Sequence, residues 1–476
     1  MRFGKVWLWL LAAIVVAAGA SAAPFIYRTS LLGSGFMAQL LCSGTFVSRR
    51  DPQAILTEDM SGPGYELLRF FQPHVQREAK RVTASMYGLG RRTAVFREGL
   101  GCTLVVNRSE KELRAQAASI FPHSSVSDPD ALWPEGERVD LEALPQQVDR
   151  VALEEGVKAT LAEPDSTHPR RTRALVVVYE GRIAAEGYAP GFDATMPLIG
   201  WSMSKMAINA LVGIAVQDGK LTLADSALLP EWRGDADSRR DITLDQLLRM
   251  TSGLSFNEDY TDHSSEVIQM LFVQGDKAGF AAAKPLEHSP GTYWQYSSGT
   301  SNIIARILRQ RFADEQEYLR YPCKRLFEPL GMSSAVLEPD EAGTFVGSTF
   351  MYASARDWAR LGLLFLHDGQ WQGQRLLPEG WVAYSLTPTK DAPDARYGAH
   401  VWLKLPKSPG LGEPPMPADT YYMLGHDEQV VAVVPSRDLV IVRLGITREE
   451  GAWDHARDLA PDWKEPGVEL QRYKIR

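Results

Sequence analysis

Two residues with complementary chemistry, Ser202 and Lys205, lie three positions apart in the 476-residue chain. In a helix this spacing places both side chains on one face. A lysine whose charge is disfavoured by burial can take the proton that a serine hydroxyl must lose when it attacks an acyl carbon. The apolar flank 198–201 favours such burial, while an ordinary surface pair on a helix is the alternative that the spacing alone leaves open.

A second candidate group is Tyr296-Ser297-Ser298, which follows Trp294 and precedes an apolar helical pattern over 303–308. A tyrosine phenol can relay protons beside a cation, because an ammonium group lowers the pKa of the phenol. The alternative interpretation is a core tyrosine in a turn.

The third candidate group is the segment 425–429 (Gly-His-Asp-Glu-Gln), which enters a predicted strand over 430–434. A backbone N–H at the start of such a strand could complete an oxyanion hole with the N–H of Ser202. A loop histidine at position 426 that is merely solvated is the alternative.

The elements around these groups predict an α+β domain that begins near residue 173, with a helix starting at about Ser202. Four strands joined in pairs by turn signals are predicted: 174–179, 182–188, 430–434 and 439–444. Strands at both ends of the domain with helices between them indicate an antiparallel sheet built from the two ends.

The residues before this domain predict an extension with its own strands. Residues 81–106 have the pattern of strand, turn and strand, and the Pro-, Asp- and Ser-rich stretch 124–169 predicts a linker with a short helix near 148–161. The predicted divisions of the chain are a signal peptide or membrane anchor over 1–28, an N-terminal extension over 29–150, the main domain over 151–450 and a C-terminal tail over 451–476.

The N-terminal segment 6–27 carries no charged residue and follows Arg2 and Lys5. Its Ala-Ser-Ala sequence at 20–22 is typical of a signal-peptide cleavage site, whereas 22 uncharged residues are also enough to span a bilayer. Both alternatives predict export to the periplasmic side of the inner membrane, with the protein anchored or released, and Pro24 favours the anchor.

The three cysteines suit an exported protein in which two of them pair. Cys42 and Cys102 both precede the main domain, so we expect a disulfide between them and a thiol at Cys323. Three buried thiols are the alternative.

The overall charge of −8, from 51 basic and 59 acidic residues, argues against a nucleic-acid-binding protein. The chain has no CxxC or HExxH motif and its nine histidines are scattered, so we predict no metal and no other cofactor. The expected partners are a small-molecule substrate and, through the N-terminal segment, a membrane.

In chain order the three groups resemble the motifs of the serine β-lactamase and penicillin-binding-protein superfamily. The similarity is greatest to its class C-like branch of esterases, D-aminopeptidases and 6-aminohexanoate-dimer hydrolases. Ser202 precedes Tyr296 by 94 residues, and Tyr296 precedes His426 by 130 residues. The resemblance covers about residues 170–450, and the supporting segments are 247–254, 327–332 and 377–381.

The resemblance implies a β-lactamase/transpeptidase-like fold, with an antiparallel sheet packed with helices plus a helical subdomain. It also implies that Ser202 is the acylated nucleophile, Lys205 its proton partner and Tyr296 the second member of the acid–base pair. Such a protein would cleave an amide or ester through an acyl-serine intermediate. The residues expected to bind substrate or its oxyanion are His426, Gln429, Ser298 and Trp201. The alternative function is a non-catalytic ligand-binding or scaffold protein that retains the fold.

Three positions depart from the motifs of penicillin-recognising members. Ser298 stands where asparagine is common, His426 where lysine is common, and Glu428 where glycine is usual. A histidine is mostly neutral at pH 7 and offers a substrate carboxylate a hydrogen bond instead of a fixed charge. We therefore expect β-lactams to be poor substrates and neutral short-chain esters or amides to be better ones.

Overall fold

The computed structural model describes residues 3–117, 128, 130–145, 148–405, 416–449 and 451–459, and their side chains from residue 23 onward except at 143, 456 and 457. The N-terminal part combines a long helix with a small antiparallel sheet of order β1–β2–β3–β4. Its elements are α1 (Phe3–Phe46), α2 (Pro52–Glu58), β1 (Phe71–Gln76), β2 (Arg81–Met86), β3 (Leu89–Arg97), β4 (Gly101–Val105) and α3 (Glu110–Gln116). The stretch 81–106 therefore holds three strands where two were predicted, and β1 was not predicted.

Helix α1 joins the N-terminal segment to the extension. Its C-terminal half packs across β2 and β3, and the predicted disulfide between Cys42 and Cys102 links it to β4. Cys323 keeps its thiol, as expected. The domain boundary predicted at residue 28 lies inside α1, so one continuous helix crosses it.

The side chains of residues 6–22, which carry most of the predicted anchor, lie outside those that the structure describes. Among the residues that the structure describes, no helix combines the length and the apolar character needed to cross a membrane.

The main domain alternates helices with short and long strands. Its elements are α4 (Arg150–Leu161), β5 (Thr172–Tyr179), β6 (Arg182–Tyr188), β7 (Leu198–Ile199), α5 (Ser204–Gln217), α6 (Leu244–Leu248), α7 (Glu266–Phe272), α8 (Lys277–Ala282), α9 (Ser298–Arg309), α10 (Glu315–Pro322), α11 (Glu328–Leu330), β8 (Val336–Leu337), β9 (Met351–Ala353), α12 (Ala355–Leu366), β10 (Gln370–Trp371), β11 (Gln374–Arg375), α13 (Trp381–Leu386), β12 (Tyr421–Gly425), β13 (Gln429–Val434), β14 (Leu439–Gly445) and α14 (His455–Leu459).

The central sheet is antiparallel and has the order β12–β13–β14–β5–β6, so the last hairpin of the domain pairs with the first. This arrangement confirms the predicted α+β class. Strand β5 is buried along its length because both faces of the sheet are covered. Val176 and Val178 face the main helical core, whereas Leu175 and Val177 face a second core that includes residues of α4.

Helix α12 packs on this sheet against β5, β13 and β14, and α5 packs against α9 within the same core. Every residue of α5 from Ser204 to Ala215 is buried. The helix follows a 3-10 turn over Trp201–Met203, and its first residues face the first turn of α9. The N-termini of α5 and α9 thereby bring two of the candidate groups together.

Candidate active site

Ser202 lies in the tight turn that precedes α5. The residue before it, Trp201, has a φ of +49°, in the left-handed region that costs a non-glycine residue conformational energy. Gly200 on one side and Gly425 at the end of β12 make this turn possible. A Cβ on Gly200 would lie 2.2 Å from the ring of Trp358, and one on Gly425 would lie 2.3 Å from the carbonyl oxygen of Gly200. The end of β12 is therefore packed directly against the serine turn.

Lys205 is buried, and its ammonium group has three hydrogen-bond acceptors. Nζ donates to Ser202 Oγ at 3.1 Å, to Ser298 Oγ at 3.2 Å and to the carbonyl oxygen of Ser348 at 3.2 Å. Burial lowers the pKa of Lys205 to about 8, against the opposing effect of the Glu258 carboxylate. A lysine with this pKa is neutral in a useful fraction of molecules near neutral pH.

Tyr296 lies next to the serine–lysine pair, just before the N-cap Ser297 of α9. Lys205 Nζ lies 4.7 Å from the centre of the Tyr296 ring, and the rings of Tyr397 and Trp402 pack against that ring. Burial raises the pKa of Tyr296, and the charge of Glu258 raises it further. The phenol therefore holds its proton at neutral pH, and the lowering of its pKa that was expected beside an ammonium group does not occur.

Glu258 is a site residue that the sequence did not single out. Its carboxylate accepts hydrogen bonds from the Ser298 N–H at 2.8 Å and from Ser298 Oγ at 2.5 Å. Burial raises the pKa of Glu258, while the charge of Lys205 and the two bonds from Ser298 oppose that rise. Ser298 thus connects the lysine to a half-buried carboxylate. The only sequence signal was the position of Glu258 in the loop directly after the segment 247–254.

His400 is a second residue that the sequence did not indicate. Its Nδ1 lies 3.1 Å from the carbonyl oxygen of Lys205, and its Nε2 lies 3.1 Å from Ser301 Oγ. Burial, together with the nearby Lys205 charge, lowers the pKa of His400 to about 3. A neutral imidazole therefore ties the first turn of α5 to α9.

The third candidate group adjoins the serine turn through aromatic contacts. The His426 ring stacks on Tyr260 with a centroid distance of 4.9 Å, and it meets the Trp201 ring edge-on at 5.4 Å. The next residue, Asp427, is bound by Arg448 at 2.9 and 3.2 Å. His426 thus borders the site beside an ion pair that is already complete.

Two other members of this group point elsewhere. The Gln429 side chain bonds to the backbone of Gly445 in the neighbouring strand, whose N–H donates to Gln429 Oε1 at 3.0 Å. The Glu428 carboxylate lies 2.8 Å from His455 Nε2. Glu428 has a φ of +63°, a conformation that suits the glycine expected at this position.

The structure thus brings Ser202, Tyr296 and Ser298 around the ammonium group of Lys205. Trp201 and His426 form the wall beside it, and the Gln429 amide is engaged by strand β14. Among the residues that the structure describes, no group of three or more His, Cys, Asp or Glu side chains could hold a metal ion.

Comparison with known proteins places this arrangement in a family. A family model described as Beta-lactamase matches residues 157–460, well over half of the chain. This chain belongs to the beta-lactamase family. The match includes all three candidate groups and confirms the superfamily predicted from them, and residues before 157 lie outside it.

Two kinds of relatives extend the comparison. A curated 6-aminohexanoate-dimer hydrolase from Paenarthrobacter ureafaciens is 26% identical over 280 residues, which cover 56% of this chain and 67% of that protein. The solved structure of a putative 6-aminohexanoate-dimer hydrolase from Bacillus anthracis matches with a TM-score of 0.51 and 20% identity, over 60% of this chain and 76% of that one. A penicillin-binding-protein homologue from Caulobacter crescentus matches with a TM-score of 0.49 and 16% identity, over 66% and 96% of the two chains. The family match and the Bacillus anthracis structure establish the β-lactamase-like fold of this hydrolase family for the main domain.

Proposed function

We propose that this member of the beta-lactamase family is a serine hydrolase that cleaves a small amide or ester through an acyl group carried on Ser202. The observation that carries the proposal is the contact of 3.1 Å between Ser202 Oγ and Lys205 Nζ, a buried lysine whose pKa is lowered to about 8. A neutral lysine at this distance can accept the serine proton. The phenol of Tyr296, whose ring lies beside the same lysine, supplies a second group for proton transfer.

In the proposed acylation, Ser202 Oγ forms a bond to the substrate acyl carbon and passes its proton to neutral Lys205. Backbone N–H groups of Ser202 and of the third candidate group would hold the tetrahedral oxyanion. The proton then passes through the Tyr296 hydroxyl to the leaving amine or alkoxide as the C–N or C–O bond breaks. Water attacks the acyl carbon in the second half and gives a proton back to Ser202 Oγ, which releases the acid.

The charges around the third candidate group support a neutral acyl substrate. Arg448 binds Asp427, the residue after His426, and its guanidinium also donates to the carbonyl oxygen of Ser61 at 3.0 Å. A substrate carboxylate would have to compete with Asp427 for this charge, and the negative charge of Asp427 would repel it. Neutral short-chain esters or amides are therefore the proposed substrates, and β-lactams are expected to react poorly.

A fluorophosphonate probe tests the nucleophile. The wild-type protein should be labelled, and Ser202→Ala should abolish the labelling, while Ser204→Ala retains it because Ser204 Oγ is bonded to the carbonyl oxygen of Trp201. Equal labelling of the Ser202→Ala variant would refute the assignment. Intact ligand binding without labelling or turnover would instead support the non-catalytic alternative.

Parallel rates with nitrocefin and a p-nitrophenyl ester test the substrate class. The ester should be turned over faster. Nitrocefin turnover about tenfold above that of the ester, or ~1.4 kcal/mol in transition-state binding, would mean that the site does hold an anion.

We also propose that the protein is exported and works on the periplasmic side of the inner membrane, held by its N-terminal segment. The disulfide between Cys42 and Cys102 supports an oxidising compartment. N-terminal sequencing of the native protein tests the attachment, because a mature terminus at Ala23 in the soluble fraction would mean that the protein is released.

A further inference from the structure

Five large apolar residues are exposed together at one end of the N-terminal part. Phe25, Ile26 and Tyr27 on α1 are 73%, 41% and 54% exposed, and Tyr87 and Leu89 at the β2–β3 turn are 73% and 51% exposed. We call these five residues the aromatic tip. Large apolar side chains gathered on a surface commonly mark a contact with a partner or a membrane.

The helix and the turn belong to one surface because they touch. Gly90, next to Leu89, lies so close to α1 that a Cβ on it would be 2.2 Å from Ser30 Oγ and 2.7 Å from the backbone nitrogen of Leu31. The two parts of the aromatic tip are therefore neighbours on the surface of the protein.

The β2–β3 turn holds Tyr87 in a backbone conformation that is unfavourable for tyrosine. Strands β2 and β3 are joined by two residues, Tyr87 and Gly88, whose φ angles are +48° and +87°. Two-residue turns with both φ angles positive strongly favour Asn-Gly. A tyrosine at the first position is conformationally unfavourable, and most of its ring is presented to solvent.

The charges beside the aromatic tip are positive although the whole chain carries −8. Arg28 and Arg91 are exposed next to it, and residues 23–31 and 86–92 contain no Asp or Glu. Tyrosine and arginine together suit the headgroup layer of an anionic bilayer, where the ring lies at the interface and the guanidinium meets phosphate.

Helix α1 also leads from the aromatic tip into the most apolar sequence of the chain. Residues 6–27 contain no charged side chain, and the helix extends back to Phe3. As a helix these 22 residues span roughly 33 Å, about the thickness of the hydrocarbon core. The tip thus surrounds the place where an uncharged helical segment leaves the body of the protein.

We propose that the aromatic tip lies in the headgroup layer of an anionic lipid bilayer and holds the catalytic body against the membrane. The proposal rests on the membrane attachment proposed above and is independent of the chemistry at Ser202. It gives the body a second contact with the bilayer, made by the β2–β3 turn, beside the segment that anchors it.

Fluorescence of a labelled full-length chain tests the contact. In a Cys323→Ala background, Tyr87→Cys carries an environment-sensitive fluorophore, and the protein is reconstituted in vesicles of phosphatidylglycerol and phosphatidylethanolamine. The matched control is Val151→Cys on α4, an apolar position with a similar exposure of 68%. We expect the emission at position 87 to shift to the blue and to be quenched by brominated lipid, and the emission at position 151 to do neither.

A second variant separates membrane contact from folding. Tyr87→Asn suits the turn better, so it should keep or raise the melting temperature. When the label is carried at Arg91→Cys, adding Tyr87→Asn should nevertheless reduce the quenching of that label by brominated lipid.

Each other outcome overturns the proposal. Protein that floats with the vesicles while the label at position 87 stays unquenched would retain the attachment and refute the tip contact. Protein that fails to float would refute both. A blue shift without lipid quenching would assign the tip to a protein partner.

Discussion

Two effects act in opposite directions on the pKa of Lys205. Its three acceptors, Ser202, Ser298 and Ser348, match the three protons of an ammonium group and stabilise the charged form. Burial favours the neutral form and lowers the pKa to about 8. The charge of this lysine is therefore sensitive to pH in the range where an enzyme works.

The first prediction concerns the pH dependence of turnover. We expect kcat/KM for a neutral ester to rise with pH through about 8 and to level off above it, because only neutral Lys205 accepts the serine proton. Below this pKa the neutral fraction, and with it the rate, should fall about tenfold per pH unit. A profile that is flat between about pH 6 and about pH 9 would contradict this role.

The second prediction concerns Glu258, whose negative charge raises the pKa of Lys205. Glu258→Gln removes this charge, so the rising limb of the pH profile should move to lower pH by ~1 unit. The matched control is Asp259→Asn, an exposed neighbour in the same loop whose carboxylate bonds to Thr261, and it should leave the limb in place. An unchanged limb in Glu258→Gln would show that the carboxylate only positions Ser298.

The third prediction separates proton transfer from charge. Lys205→Arg keeps the positive charge but cannot give up its proton, so turnover should fall by at least about 100-fold. Lys277→Arg is the control, because Lys277 is also a buried lysine with a pKa of about 8 and donates to the carbonyl oxygen of Gln274. The control should lose stability and keep its turnover per folded molecule. Near wild-type turnover in Lys205→Arg would exclude the proposed role.

At the scale of elements, the end of β12 lies in close contact with the turn that holds the proposed nucleophile Ser202. Gly425 at the end of β12 approaches the carbonyl oxygen of Gly200, the residue before the Trp201–Met203 turn. Any side chain at position 425 would push β12 away from that turn. The absence of a side chain at position 425 thus allows β12 to lie this close to the turn that holds Ser202.

The fourth prediction is that Gly425→Ala lowers stability by about 1–3 kcal/mol, the usual cost of overpacking, and lowers the labelling rate of Ser202 as well. A Cβ there would meet backbone at 2.3 Å. Gly234→Ala is the control, since its Cβ would meet only an ordinary contact at 3.9 Å from Asp237. Thermal melting and fluorophosphonate labelling measure the two effects. Equal behaviour of the two variants would mean that β12 does not constrain the turn.

The elements that the sequence predicted are those with local signals. The hairpin of β5 and β6 and that of β13 and β14 have apolar strands on either side of turn residues, and both form as expected. Strand β1 was missed because Phe71–Gln76 contains a proline and three polar residues, which is tolerated at the edge of a sheet.

The residues of the candidate site likewise include some that the sequence predicted and some that it did not. The spacing of Ser202 and Lys205 follows from helix geometry and could be predicted. Glu258 and His400 reach the same lysine from loops far away in the chain, so only the folded chain brings them there.

At the scale of the whole molecule, the extension is fastened to the main domain by a buried carboxyl group. Glu338 accepts hydrogen bonds from Gln39 at 2.8 Å, from Ser43 at 2.8 Å and from the Cys102 N–H at 2.7 Å. Burial raises the pKa of Glu338 to about 8. Residues on both sides of the disulfide therefore bind the same side chain of the main domain.

The fifth prediction is that the disulfide stabilises the whole protein. Replacing Cys42 and Cys102 by alanine should lower the free energy of unfolding by ~4 kcal/mol, the entropy expected for a loop of this length. The two cysteines are 60 residues apart. Cys323→Ala, which removes a thiol outside the disulfide, is the control and should have a small effect. Denaturant titration with activity as a second signal measures both, and unchanged stability of the double variant would contradict the prediction.

The continuity of α1 has a mechanical consequence. A flexible linker would let the catalytic domain change its distance and orientation relative to the membrane. Helix α1 instead continues into the core that contains Cys42. From Tyr27 to Cys42 it rises by roughly 22 Å, so it acts as a strut of set length. In a chain held in a bilayer by its N-terminal segment, this rigid helix would keep Ser202 at a constant distance from the lipid. Molecules confined to that layer would then reach Ser202 more often than molecules in the bulk.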